Sequence, residues 1–279
     1  MKEITYGKPI CLSPNVRRIT VPNPGRMTGP GTNTYLVGEK NIAVIDPGPV
    51  EESHIQAILD AVGDRLKWIL VTHTHPDHSP GAKVLAEATG AILLGNVLPV
   101  DDGHQDNSFV PQENFTHDQV LDGGGFHIRA ICTPGHVDNH LCFLVEEDNL
   151  LITGDHIMQG STVVIIPPHG DMKAYIDSLQ LLKKYTINYL APGHGTLIEN
   201  PENEIEGLIQ HRLGRESKVV KTMKGLGEIS LEDLTPKVYE DVDKSLHPLA
   251  KYSLWAHLLK LEKDQRASHK NDRWCLLET

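Results

Sequence analysis

The densest chemistry in the chain is His73-Thr74-His75-Pro76-Asp77-His78, three imidazoles and a carboxylate within six residues, placed directly after the apolar run Trp68 to Thr72. Alternate side chains of an extended segment share a face, so His73 and His75 reach one point together. The turn at Pro76 redirects Asp77 and His78 toward a second point. Neutral imidazole and carboxylate suit zinc, iron or manganese. Three single candidates follow, each beside a glycine that lets backbone approach a site: His136 after Gly135, Asp155 after Gly154, and His194 between Gly193 and Gly195. Alone, each reads equally well as a turn. With the cluster they bring the set to five histidines and two aspartates, the ligand count of two metals about 3.5–4 Å apart in two-metal hydrolases.

These residues need strand ends to hold them. Asn33 to Val37 and Ile42 to Ile45 read as strands, the second stopped by Asp46-Pro47-Gly48. Glu51 to Val62 has helical spacing, Trp68 to Thr72 is a short buried strand, and Ser79 to Thr89 is a helix with Pro80 in its first turn. Ala91 to Leu94 is a strand, and residues 97–125 are polar and irregular. Strands resume at Phe126 to Thr133, Leu141 to Glu146 and Asn149 to Thr153, then a helix at Met172 to Lys184 and a strand at Ile187 to Leu190. Interleaved strands and helices with polar residues at strand ends point to an α/β layered fold with its site on the loops. After residue 200 the pattern turns helical: Ile205 to Lys224, Leu231 to Glu240 capped by Ser230, and Leu246 to Leu261, with a terminal hairpin at Trp274 to Leu277. The expected domains are therefore 1–200 and 201–279.

The chain has 279 residues, 39% of them hydrophobic, enough to bury a core, and a net charge of −11. Residues 201–279 hold 13 basic against 14 acidic side chains, so the acidity lies almost wholly in the first 200. No run approaches a membrane span of about 18 apolar residues, and Met1 to Lys8 lacks a signal-peptide pattern. The four cysteines, Cys11, Cys132, Cys142 and Cys275, form no C-x-x-C pair. They read as reduced thiols in a cytoplasmic protein.

The motif His73 to His78 followed by His136, Asp155 and His194 resembles the metallo-β-lactamase superfamily over roughly residues 20–200. Three stretches are similar to the β-lactamase-like protein 2 group. They are Gly31 to Leu36, then Thr133 to His136 with Asp138 and His140, and last Tyr239 to Val242 with His247 to Ala250. The resemblance implies a four-layer αββα sandwich with a small, mainly helical, winged-helix-like C-terminal domain. It implies that His73, His75 and His136 hold a first metal, that Asp77, His78 and His194 hold a second, and that Asp155 bridges. Asp46 matches an aspartate behind the site, a support rather than a ligand; it reads equally as an Asp-Pro-Gly turn.

The implied chemistry is attack by a hydroxide bridging two divalent ions, zinc first, with iron and manganese chemically open. Asp77 would also orient the hydroxide. His140 either protonates the leaving group or is a polar strand residue. His169 could line the pocket from its loop, and His156 packs behind Asp155. The group's vertebrate member is an endoribonuclease, so single-stranded RNA is the first substrate expected. Arg212, Arg215, Lys218, Lys221 and Lys224 recur every three residues, either a stripe that follows a phosphate backbone or a solvated helix face. The net charge and the scarcity of aromatic residues oppose strong RNA binding. The alternative is a small carboxylic ester, thioester or lactone, as in glyoxalase-type relatives. A third reading is a non-catalytic nucleic-acid-binding protein. No membrane partner is expected, and a homodimer is left open.

Overall fold

The structure is a computed structural model that describes residues 4–99 and 103–277; Met1 to Glu3, part of the Met1 to Lys8 stretch, lie outside them. The chain forms two compact units. The first takes residues 1–133, 139–163 and 185–202; the second takes 134–138, 164–184 and 203–279.

In the first unit, β1 (Ile10–Cys11), β2 (Val16–Thr20), β3 (Asn33–Val37), β4 (Ile42–Ile45), β5 (Leu66–Leu70) and β6 (Ile92–Leu94) form one sheet in sequence order. The pairs from β1 to β4 are antiparallel; β4 with β5 and β5 with β6 are parallel. Helix α1 (Glu52–Val62) crosses between β4 and β5, and α2 (Gly81–Thr89) between β5 and β6. A second sheet has the order β11-β10-β9-β8-β7, from β7 (Val120–Asp122), β8 (His127–Cys132), β9 (Leu141–Val145), β10 (Leu150–Gly154) and β11 (Tyr189–Pro192).

Every residue of β3, β4, β9 and β10 is buried. Their sequences are mostly apolar because both faces of these strands are covered, with Asn33, Thr34 and Thr153 the buried polar exceptions. The strand period of two divides each strand between two cores. Tyr35, Val37, Ala43, Ile45 and Leu70 meet Phe126, Ile128, Phe143 and Ile152 between the sheets. Leu36, Val44 and Ile69 face the other way, onto Ile55, Ile58 and Val62 of α1 and Ala82 and Leu85 of α2. Strands β2 and β7 fall outside the sequence reading. Val16-Arg17-Arg18-Ile19-Thr20 interrupts its apolar pattern with two arginines, and β7 is three residues inside a polar stretch.

The second unit contains α3 (Met172–Leu182), α4 (Pro201–Met223), α5 (Leu231–Val238), α6 (His247–Lys263), and a small sheet ordered β12 (Ile229–Ser230), β14 (Arg273–Leu276), β13 (Ala267–Lys270). Asp171 caps α3 by accepting the amides of Lys173 and Ala174, and Ser230 caps α5 at Asp233. The β13–β14 hairpin turns at Asn271 and Asp272, both with positive φ (48° and 58°). This is the backbone that a two-residue hairpin loop requires, and Asn and Asp tolerate it. Leu234, Val238, Leu254, Leu258, Leu261 and Trp274 form its core.

Candidate metal centre

The site grows from strand ends. Strand β4 stops at Ile45, and Asp46 follows with φ 51°. Strand β5 runs out through Val71 and Thr72 into His73, β10 delivers Asp155, and β11 delivers His194. Asp46 is 1% exposed. Its Oδ1 accepts the Thr72 amide at 2.7 Å, and its Oδ2 accepts the Thr72 hydroxyl at 2.7 Å and His78 Nδ1 at 2.9 Å. That bond fixes the His78 tautomer and leaves the lone pair on Nε2, the support expected of a residue behind a metal ligand.

His78 Nε2 lies 3.5 Å from Asp77 Oδ2 and 3.4 Å from Asp155 Oδ1. His194 Nε2 lies 3.3 Å from each of the same two carboxylates. His194 Nδ1 donates to the Gly31 carbonyl, so its Nε2 too carries a lone pair. Both Nε2 atoms are buried, and neither has a hydrogen-bond partner of proper geometry among the described residues. On the other side of the cluster, His73 Nε2 and His75 Nδ1 approach to 2.9 Å, and Thr72 Oγ1 contacts His73 Nδ1 at 3.0 Å. Two groups each bring their ligand atoms within 4.8 Å of one another: His73 with His78 and Asp155, and Asp77 with His78 and His194.

Electrostatics follows from this crowding. Burial pulls His194 down, but Asp155 and Asp77 outweigh it and lift its pKa to about 9. Burial likewise opposes charge on His78, and Asp77, Asp155 and Asp46 together raise it above its ordinary value. Burial would raise Asp155; His194 and His78 hold it well below the usual carboxylate range. Burial, then His78 and His75, push His73 well below an ordinary imidazole. The raised pKa values keep a proton on the His78 and His194 imidazoles when no cation is present, and a divalent cation would replace it: two buried Nε2 atoms crowded against the buried Asp155 and the part-exposed Asp77 are a donor set that fits divalent cations. The backbone leaves room for it at Gly193. A β-carbon there would stand 2.6 Å from Asp155 Oδ1 and 2.8 Å from His78 Cε1.

The remaining candidates sort differently. His136 belongs to the 134–138 segment of the second unit, where its Nδ1 donates to the Val164 carbonyl at 2.8 Å and leaves the lone pair on Nε2. His140 is not placed as a proton donor. It is 1% exposed, its Nε2 accepts the Asp155 amide at 3.2 Å and its Nδ1 meets Thr133 Oγ1 at 2.9 Å. It therefore orients Asp155. His156 is buried, its ring 5.8 Å from that of His140. His169 pairs with Asp138 at 3.3 Å.

The basic stripe does not form. A step of three residues turns about 300° around a helix, so the five positions wind off any one face. Arg212 is 3% exposed and lies over the Tyr175 ring. Arg215 and Lys218 are held by Asp241, with Arg215 also over Tyr239. Only Lys221 and Lys224 of the five are exposed.

Two residues that the sequence reading passed over brace the site. Thr72 ties Asp46 to His73, as above. Asn33 Nδ2 donates to the Pro192 and Gly195 carbonyls, both at 2.9 Å, and so pins the loop that carries His194. Thr72 sits in plain view before His73; the Asn33 contact spans the sequence and leaves no local signal.

The metallo-β-lactamase superfamily profile matches residues 27–194. The chain belongs to the metallo-β-lactamase superfamily. A β-lactamase-associated winged helix domain matches residues 230–274 of this superfamily hydrolase. The chain is 32% identical to the lactamase-like protein nscB of Arthroderma gypseum, over 93% of this chain and 85% of that protein. It is also 32% identical to a β-lactamase-like protein 2 homolog of Caenorhabditis elegans, over 95% and 90%. A β-lactamase domain protein from Burkholderia ambifaria shares the fold, with TM-score 0.81 at 19% identity, covering 99% of this chain and 95% of that one.

Proposed function

We propose that this metallo-β-lactamase superfamily hydrolase works with two divalent ions, zinc first, held by His73, His75, Asp77, His78, His136, Asp155 and His194. The observation that carries the reading is the pair of buried Nε2 atoms, on His78 and His194, facing Asp77 and Asp155 without hydrogen-bond geometry. The ions supply Lewis acidity and a nucleophilic oxygen near neutral pH. The chain supplies the rest. Asp46 and Thr72 hold the His73–His78 loop, His140 turns Asp155, and Asn33 fixes the His194 loop. Asp77, part-exposed beside His194, would hold a second ion with His78 and His194 and could orient a nucleophile there.

The substrate best supported is a small carboxylic ester or thioester. A cavity of about 210 Å³, a volume for a short acyl group, is lined by Thr74, from within the histidine motif, by the apolar Val97, Leu98, Phe109, Val110 and Pro111, and by the polar Gln105, Asp106 and Asn107. A net charge of −11 suits a small substrate better than a polyanion. Single-stranded RNA is the second reading, favoured by the likeness to the β-lactamase-like protein 2 group and by exposed Lys221 and Lys224.

The experiment is turnover of a glutathione or coenzyme A thioester and of a labelled single-stranded RNA by zinc- and manganese-loaded protein, beside Asp155→Ala prepared identically. Thioester hydrolysis by the parent and not the variant supports the first reading, and RNA cleavage with intact thioester moves the assignment to the second. Neither, with both ions bound, removes both substrate classes. The free thiols at Cys11, Cys132, Cys142 and Cys275 support a cytoplasmic location. Among the described residues no helix is long and apolar enough to cross a membrane.

A further inference from the structure

Arg18 is a buried charge whose placement the hydrolase chemistry does not explain. It lies on β2, 3% exposed. Its Nη1 donates to the Gly195 carbonyl at 3.2 Å, and its Nε has no hydrogen-bond partner among the described residues. Among the described residues no carboxylate forms an ion pair with it. A guanidinium is almost never taken out of water without a counter-charge, because the desolvation cost is otherwise uncompensated.

Arg18 lines a cavity of about 360 Å³ in the first unit, together with Ile10, Leu12, Gln159, Thr196, Leu197, Glu199 and Asn200. Ile10, Leu12 and Leu197 give one apolar wall; Gln159, Thr196 and Asn200 offer amide and hydroxyl groups. We infer that this cavity binds a small organic carboxylate, with its charged end on Arg18 and its apolar end on Ile10, Leu12 and Leu197. The planar guanidinium fork matches a carboxylate. Among the described lining residues Arg18 is the one basic side chain and the exposed Glu199 the one acidic, a balance that favours a monoanion over a phosphate dianion. The volume takes a chain of a few carbons.

The site also touches the metal centre's scaffold. Gly195 follows His194 and accepts from both Arg18 and Asn33. A bound carboxylate would draw on the same guanidinium that steadies the loop.

The test is titration of the full-length, metal-loaded protein with butyrate and, separately, with inorganic phosphate, followed by calorimetry. Two variants are compared, Arg18→Met, which removes the charge at similar length, and Thr196→Glu, which supplies an internal carboxylate from the half-buried rim. The expected result is saturable butyrate binding that weakens about tenfold or more in each variant, with phosphate binding weaker throughout. Absence of butyrate binding overturns the inference. So does binding unchanged in the variants, which would place butyrate on the metals instead. Phosphate binding as tightly as butyrate overturns the carboxylate assignment. If Arg18→Met does not fold, Thr196→Glu decides alone.

Discussion

At the scale of residues, Asp46 does work that no ligand list records. Its two oxygens accept three hydrogen bonds, two from Thr72 and one from His78, so it joins the ends of two neighbouring strands and aims an imidazole at once. Asp46→Ala is expected to weaken metal affinity about 10–100-fold while all seven proposed ligands remain, read by competition with a chromophoric chelator; unchanged affinity would make Asp46 a turn residue only. Gly193→Ala tests the backbone in the same way. A methyl group 2.6 Å from Asp155 Oδ1 must displace the carboxylate or the loop. The variant should fold, retain the circular dichroism of the parent and lose bound metal. Full metal content in Gly193→Ala would show that the site tolerates what its geometry forbids.

At the scale of elements, the second unit carries a histidine placed for packing alone. His257, on α6, is fully buried, and neither ring nitrogen has a hydrogen-bond partner among the described residues. Burial, then the charge of Arg212 and Lys260, pushes its pKa down to about 3. A depressed pKa contributes nothing adverse above the unfolded value of about 6.5 and costs stability as pH falls below it, because only the unfolded chain then takes up the proton. His257→Leu should therefore gain about 2 kcal/mol relative to the parent on going from pH 7 to pH 5, measured by urea unfolding at both values. An equal difference at the two pH values would contradict the assignment. The same elements show what the sequence makes legible. Of the strands buried on both faces, β4 and β9 announce themselves as apolar runs and β10 nearly so, while α1 is legible by its spacing and α5 by its Ser230 cap. Strand β2 does not, because Arg17 and Arg18 break its pattern, and the paired neighbour that makes it a strand lies in β3. The ligand loops are legible for a local reason, since imidazoles two residues apart and glycine–ligand pairs are short-range signals. The role of His140 and the burial of Arg212 are not, since each is set by a partner distant in sequence, the Asp155 amide in one case and the Tyr175 ring in the other.

At the scale of the whole molecule, metal binding and folding are linked. Ions that bind the native chain and not the unfolded one stabilise it by mass action, by about 4 kcal/mol at a thousandfold excess over Kd. Chelation should lower the melting temperature by several degrees and restoration of zinc should reverse it. A melting curve indifferent to chelator would separate the cluster from the fold's stability. Metal stoichiometry tests the proposed dinuclear centre most directly. The measurement is elemental analysis of the full-length protein after zinc loading and dialysis, beside Asp155→Ala treated identically. Two zinc ions per parent chain and at most one in the variant are predicted. A parent that retains one ion or none, or a variant that retains both, would contradict a dinuclear centre that depends on Asp155.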